Sequence, residues 1–309
     1  MKIAFLFPGQ GAQFVGMGKD FSEKYPTARY LFEEANDLLG RNLSRILWRG
    51  PESELIETKN SQVGIYVTSM ALLRVIEELF PKLKPTYTAG LSLGEYSALT
   101  AALKLSFKET LQLVNQRGIY MNEACEKTQG RMAVVMGMDA FFVEEMVREI
   151  NLPDDLWSAN FNCPGQVVIS GTPHGVEVAT RVAKEKGAKR VLPLSVHGAF
   201  HSGLMKLAEE KLSSEIMHAS IKESSIGLIM NYSGKIIHKE EEIRRQLIKQ
   251  VTSPVRWELG IRTLIEAGVD LFLEIGCGKT LAGMNKRIGA LSPTFSIEKI
   301  EDLEVLCNY

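Results

Sequence analysis

Ile3 to Phe7 is an unbroken apolar run ended by Pro8-Gly9, which predicts a short buried strand. Gly9, Gly11, Gly16 and Gly18 make the next segment a loop packed close to other backbone, and a loop after a first strand is a common place for site residues. Helical periodicity then dominates, over Ala28 to Leu39, Leu43 to Trp48, Gln62 to Phe80 and Phe107 to Cys125. Val63, Tyr66, Val67, Met70 and Leu73 show the spacing of a helix face. Tyr87 to Gly90 reads as a strand, so this part is an α/β unit with a mostly parallel sheet.

From Arg131 the texture changes. Arg131 to Met136 is strand-like, Phe142 to Ile150 helical, Leu156 to Asn162 and Gln166 to Ser170 a strand pair around Cys163-Pro164-Gly165, Gly175 to Lys186 helical, and Lys189 to Leu194 a strand. That βαββαβ order is the signature of a ferredoxin-like subdomain of about seventy residues. The α/β pattern then resumes with helices over Leu204 to Ala219, Glu240 to Gln250 and Trp257 to Ala267, and strands over Gly227 to Tyr232 and Leu271 to Ile275. Gly276-Cys277-Gly278 turns into a last helix. The expected architecture is a large α/β-hydrolase-like domain (residues 1–127 and 197–309) carrying an inserted ferredoxin-like subdomain (residues 128–196).

Composition narrows the function. The 309 residues are 45% hydrophobic and 24% charged with a net charge of -1, values of an ordinary globular protein with a large core. Cys125, Cys163, Cys277 and Cys307 contain no Cys-x-x-Cys pair, so neither a zinc site nor a disulfide framework is indicated. Lys2 to Phe7 is too short for a signal-peptide apolar region and no run approaches membrane-spanning length, which points to the cytoplasm. The near-neutral balance leaves no nucleic-acid footprint, so an acidic partner has to be met by a local basic patch.

The chemistry enters at Gly90-Leu91-Ser92-Leu93-Gly94-Glu95, between the Tyr87 strand and the helix-forming run Tyr96 to Leu103. It is a Gly-x-Ser-x-Gly nucleophile elbow, in which a sharp turn lifts the serine and small neighbours let the turn pack closely. Ser92 then stands at a helix N-terminus, where developing negative charge is favoured and the N–H of Leu93 is the natural first oxyanion donor. A nucleophilic serine needs a base, and the histidines are His174, His197, His201, His218 and His238. His201 is the preferred candidate, in a small-residue loop that opens a helix, with His197 in the same loop as the alternative.

Phe7-Pro8-Gly9-Gln10-Gly11, the Ser92 elbow with Glu95, Gln116-Arg117-Gly118, the run from Asn160 to Gly171, Gly198-Ala199-Phe200-His201-Ser202 and Ser253-Pro254-Val255-Arg256-Trp257 follow one another in a known order. In these motifs the chain resembles the malonyl-CoA:acyl carrier protein transacylases over nearly its whole length. The resemblance implies that Ser92 attacks a thioester while His201 takes its proton, giving an acyl-enzyme and ping-pong kinetics. It implies an oxyanion hole made by the N–H groups of Leu93 and Gln10, and a backbone carbonyl at Gln250 orienting the imidazole in place of a triad acid. Arg117 would bind the free malonyl carboxylate, which needs a cation in a partly dry pocket. Phe200 matches the position at which malonyl-selective members carry Phe, and its bulk would reject an α-methyl group. Gln62, Asn160 and Asn231 match polar family positions, as substrate contacts or as buried amides tying loops together.

Two positions depart from the family. Leu91 stands where His is usual, as it does in some discrete acyltransferases serving polyketide synthases, and His197 is an extra imidazole four residues before the base. The resemblance implies no permanently bound cofactor, coenzyme A thioester as substrate, and a holo acyl carrier protein as partner, with no nucleic acid or membrane. Carrier proteins are acidic, and Arg181, Lys184, Lys186, Lys189 and Arg190 concentrate positive charge on the second helix of the insert and its exit turn. The plain alternative there is a solvated helix face interleaved with Glu177 and Glu185. The expected function is malonyl loading for fatty-acid synthesis, with a trans-acting polyketide acyltransferase or a serine acyl hydrolase as alternatives.

Overall fold

A computed structural model describes residues 1–196 and 198–309, so His197 lies outside the described residues. Two sheets organise the chain. The first is built from β1 (Ile3–Phe7), β2 (Tyr87–Gly90), β7 (Gly227–Met230), β8 (Lys235–Ile237), β9 (Leu271–Ile275) and β10 (Thr294–Ile297), in the order β10-β9-β1-β2-β7-β8. Every pairing is parallel except β7 with β8. β1 and β9 are buried at every position because helices cover both faces, which is why β1 reads as an unbroken apolar run and β9 as one interrupted only by the buried Glu274.

The second sheet holds β3 (Arg131–Met136), β4 (Leu156–Cys163), β5 (Gln166–Gly171) and β6 (Arg190–Pro193), antiparallel throughout, in the order β4-β5-β3-β6. With helices Ala140–Ile150 and Pro173–Glu185 this is the βαββαβ arrangement expected from the strand spacing. The fold is therefore α/β with a mostly parallel main sheet and a separate antiparallel one. β4 ties the two together: Phe161 N–H donates to the Val255 carbonyl and Val255 N–H to the Ala159 carbonyl, both at 2.8 Å. That seam carries Asn160 to the edge of the cleft.

Two edge strands, β8 and β10, have no counterpart in the hydrophobic pattern. Lys235-Ile236-Ile237 is three residues long, and Thr294-Phe295-Ser296-Ile297 is only half-buried at its first three positions. The strand expected over Gly227 to Tyr232 stops at Met230, and Asn231 turns back into the site. The helix expected from Leu204 begins as a 3-10 turn, Gly203–Met205, that Ser202 Oγ caps by accepting from the Leu204 N–H.

Three helices frame the site. Thr58–Leu79 is buried almost all round, the mark of a central helix, and carries Gln62. Phe107–Lys127, capped by Ser106, presents Arg117 on its buried face. Glu240–Gln250 ends with its last residue fully buried against the elbow.

Candidate active site

β1 and β2 end side by side, and the elbow forms where they end. Ser92 has φ 53°, the left-handed region that costs a non-glycine residue about 1–3 kcal/mol and clusters at functional sites. A Cβ on Gly90 would lie 1.9 Å from the Gly94 carbonyl carbon, and one on Gly94 would lie 2.2 Å from the Phe7 oxygen. Both glycines of the motif are thus fixed by close approach of backbone to backbone. His201 is also left-handed, at φ 57°.

These two residues meet. Ser92 Oγ lies 2.8 Å from His201 Nε2, and His201 Nδ1 lies 2.8 Å from the main-chain oxygen of Gln250. A carbonyl can only accept, so the proton is on Nδ1 and Nε2 is free to accept from the serine hydroxyl. Burial, and then the charge of Arg117, hold the His201 pKa down to about 4, against the opposing pull of the Gln250 and Ser253 carbonyls. The imidazole is therefore a neutral base at physiological pH.

Arg117 is 1% exposed. Its Nη1 donates to Gln62 Oε1 at 2.7 Å, and its Nη2 to Gln250 Oε1 at 3.0 Å and to Ser92 Oγ at 3.2 Å. The guanidinium carbon sits 5.6 Å from the centre of the Tyr96 ring, within cation–π range. Arg117 Nε has no partner among the described residues. A donor on Ser92 Oγ favours the oxyanion as the hydroxyl loses its proton.

A cleft of about 280 Å³ opens over the pair, lined by Gln10, Leu91, Ser92, Arg117, Asn160, Phe200 and His201, among others. Among the described residues the N–H groups of Gln10 and Leu93 have no acceptor, whereas the Ser92 N–H donates to Asn231 Oδ1 at 2.7 Å. Among the described residues the serine's own N–H is thus occupied, while those of Gln10, in the loop after β1, and of Leu93, the residue after the serine, are unpaired.

Gln62 and Asn231 do not line the cleft. Gln62 stands behind Arg117 and also reaches Gln10, its Nε2 donating to Gln10 Oε1 at 3.4 Å. Asn231 Nδ2 donates to the Gly90 carbonyl at 2.7 Å. Both are buried: Gln62 joins its own helix to Arg117 and to the loop after β1, and Asn231 holds the elbow, while Asn160 lines the cleft. The pattern gave no sign of other wall residues, Asn162, Leu194, Val196, Thr280, Leu281 and Met284.

Glu95 belongs to the same network, although the motif marked only its position. It is fully buried, accepting from the Asn231 backbone N–H on Oε1 and from Gln250 Nε2 at 2.7 Å on Oε2. Burial raises its carboxyl pKa, opposed by the Asn231 N–H, the Arg117 charge and the Gln250 Nε2, and with a donor on each oxygen the geometry is that of the ionised carboxylate. Among the described residues no cluster of three or more His, Cys, Asp or Glu side chains could hold a metal ion. No helix among them is long and apolar enough to cross a membrane.

Known proteins resemble this chain in sequence and fold. The family described as acyl transferase domain matches residues 4–290. The malonyl CoA-acyl carrier protein transacylase of Bacillus subtilis is 45% identical over 98% of this chain and 96% of its own length. That of Haemophilus influenzae is 40% identical over 93% and 92%. Among solved structures, a malonyl-transacylase in complex with its type II PKS acyl-carrier protein superposes at TM-score 0.96 with 37% identity, over the full length of both chains. The transacylase of Clostridium perfringens superposes at 0.94 with 35% identity, covering 100% of this chain and 96% of that one. With this identity over nearly its whole length, the chain belongs to the acyl transferase domain family, among the malonyl CoA-acyl carrier protein transacylases.

Proposed function

We propose that the protein transfers a malonyl group from malonyl-CoA to the phosphopantetheine thiol of a holo acyl carrier protein, through a malonyl ester on Ser92. The observation that carries this reading is the buried guanidinium of Arg117, 3.2 Å from the Ser92 hydroxyl. A hydrolase of uncharged acyl chains has no carboxylate to pair with a buried cation there, whereas a malonyl donor has one.

In the first half-reaction Ser92 Oγ attacks the thioester carbonyl and its proton passes to His201 Nε2. The N–H groups of Gln10 and Leu93 stabilise the oxyanion, and Gln250, through its main-chain carbonyl, stabilises the imidazolium. The carbon–sulfur bond then breaks and the proton leaves on the coenzyme A thiol. In the second half, the carrier thiol gives its proton to His201 and attacks the ester, and Ser92 recovers the proton as its bond to the malonyl carbon breaks. Asn160 and Phe200 shape the acyl site, Phe200 setting its width. Coenzyme A thioester enters as substrate, with no permanently bound cofactor, and the reaction runs in the cytoplasm.

Residues 128–196 act as a subdomain inserted into the catalytic domain of residues 1–127 and 197–309. The carrier docks on the insert's basic face of Arg181, Lys184, Lys186, Lys189 and Arg190, all exposed, although Lys186 pairs with Glu149 at 2.7 Å. β6 begins at Arg190 and leads to Leu194 and Val196 in the cleft wall, so one strand's length links this face to the acyl site. The malonyl units supply fatty-acid synthesis. A polyketide pathway is the second reading, favoured by Leu91 and by the neighbour solved with a type II PKS acyl-carrier protein.

Intact-protein mass spectrometry after mixing with malonyl-, methylmalonyl- or acetyl-CoA tests the reaction. A malonyl adduct stable in water, absent in Ser92→Ala and discharged by holo carrier protein supports transfer. Rapid loss of the adduct to water alone points to a hydrolase.

A further inference from the structure

We propose that Glu95 is a positioning residue for this reaction, its two carboxylate oxygens holding Asn231 and Gln250 and, through them, Ser92, His201 and Arg117. Asn231, pinned at its backbone N–H by Oε1, turns its side chain onto the elbow, where Oδ1 takes the Ser92 N–H and Nδ2 holds the Gly90 carbonyl, each at 2.7 Å. Gln250, pinned through Nε2 by Oε2, meets the other three groups. Its Nε2 also donates to the Ser92 carbonyl at 2.9 Å, its Oε1 accepts from Arg117, and its main-chain oxygen faces His201 Nδ1.

The orientation of the Gln250 amide depends on what it faces. With an acceptor at Glu95, the NH2 turns to Glu95 and leaves Oε1 for the guanidinium. Reversed, the amide would set oxygen against carboxylate and NH2 against a cation. Both Glu95 oxygens are needed as acceptors, because a donor approaches each. Glutamine at this position satisfies one donor and meets the other with its own NH2, whichever way it is turned. A side chain needed only to fill this fully buried space would do so as leucine or methionine without the cost of desolvating a carboxyl group. Glu95 makes no direct bond to Arg117; the Gln250 amide lies between them.

The proposal takes its assay from malonyl transfer, but its alignment readout does not depend on that reading. Glu95→Gln is compared with the wild type at matched folded fraction, with active sites counted by a fluorophosphonate that labels Ser92. Labelling rate and kcat per labelled site are expected to fall by about ten- to a hundredfold, the scale of a small misplacement of reacting groups. KM for malonyl-CoA moves by no more than about threefold, because Gln62 still holds Arg117. In a Gln250→Leu background, which removes the N–H that Glu95 holds, Glu95→Gln adds little further loss.

A purely structural residue would lower the melting temperature and the number of labelled sites while leaving kcat per site within about twofold of wild type, and that result overturns the proposal. Additive losses in the double variant overturn it as well. Should Glu95→Gln fail to fold, Gln250→Leu alone must show the same loss of kcat per site, and normal turnover in it is fatal. A wild-type protein that labels normally but moves no malonyl defeats the reaction reading, and the labelling rates still judge Glu95.

Discussion

His201 Nδ1 and the main-chain oxygen of Gln250 lie 2.8 Å apart, so a neutral dipole orients the imidazole where a triad would place a carboxylate. A dipole fixes the tautomer and favours the protonated ring less than a full negative charge would, so burial first and the Arg117 charge second outweigh it. The result is an imidazole that resists protonation.

That resistance sets the pH dependence. His201 accepts the serine proton only when neutral, and its pKa is lowered to about 4, so the active form persists above that value. Labelling of Ser92 by a fluorophosphonate is expected to stay flat through neutral pH and fall only in acid, near pH 4. Arg117→Met removes the neighbouring cation, so its acid limb moves to higher pH. A wild-type limb near the ordinary histidine value, or a downward shift in Arg117→Met, contradicts this account of the base.

Arg117 is also proposed to decide between donors. Arg117→Ala is expected to cost malonyl transfer about 1.5–3 kcal/mol more than acetyl transfer, the worth of a hydrogen bond to a charged group. Some loss is shared, since the guanidinium touches the Ser92 hydroxyl whatever the acyl group. The measurement is kcat/KM for Ser92 acylation with each donor. Equal losses would remove the carboxylate role and leave Arg117 as a support for the nucleophile.

Much of this was legible in the chain because the informative positions are local. The elbow declares itself within six residues, and β1, β2 and the strands of the insert have unbroken or alternating apolar patterns bounded by turn residues. β8 and β10 escape because short edge strands with half-exposed side chains have little pattern to display. Glu95 escapes for a different reason. Its partners Asn231 and Gln250 lie 136 and 155 positions away, so nothing near it in sequence reveals that both its oxygens are spoken for. The same distance hid that Gln62 stands behind Arg117 and Asn231 beneath the elbow.

Phe200 is proposed to limit what the cleft admits. It is buried in the wall immediately before the base and packs into the main core. Phe200→Ala is expected to improve methylmalonyl-CoA relative to malonyl-CoA by about 1–3 kcal/mol, the range for one methyl group in a tight pocket. A competition assay with both donors, read by mass spectrometry of the acylated protein, measures the ratio. The same variant loses stability by removing a core side chain, so the comparison is made within one preparation. An unchanged ratio would place the size filter elsewhere.

The basic face tests the carrier protein half of the cycle separately from the coenzyme A half. Lys184, Lys189 and Arg190 are exposed, and Arg190 opens the strand that runs into the cleft wall. Charges at this distance act on encounter rather than on bond making, and salt screens them over about 8–10 Å. Reversing all three to Glu is therefore expected to slow discharge of malonyl-Ser92 by holo carrier protein about tenfold or more at low ionic strength, and to flatten its salt dependence. Loading from malonyl-CoA should change less, because the chemistry at Ser92, His201 and Arg117 is untouched. Stopped-flow quench of the isolated malonyl-enzyme with carrier at several salt concentrations separates the two. Unchanged discharge would mean that Glu177 and Glu185 neutralise the helix as an ordinary solvated face, and that the carrier approaches from another side.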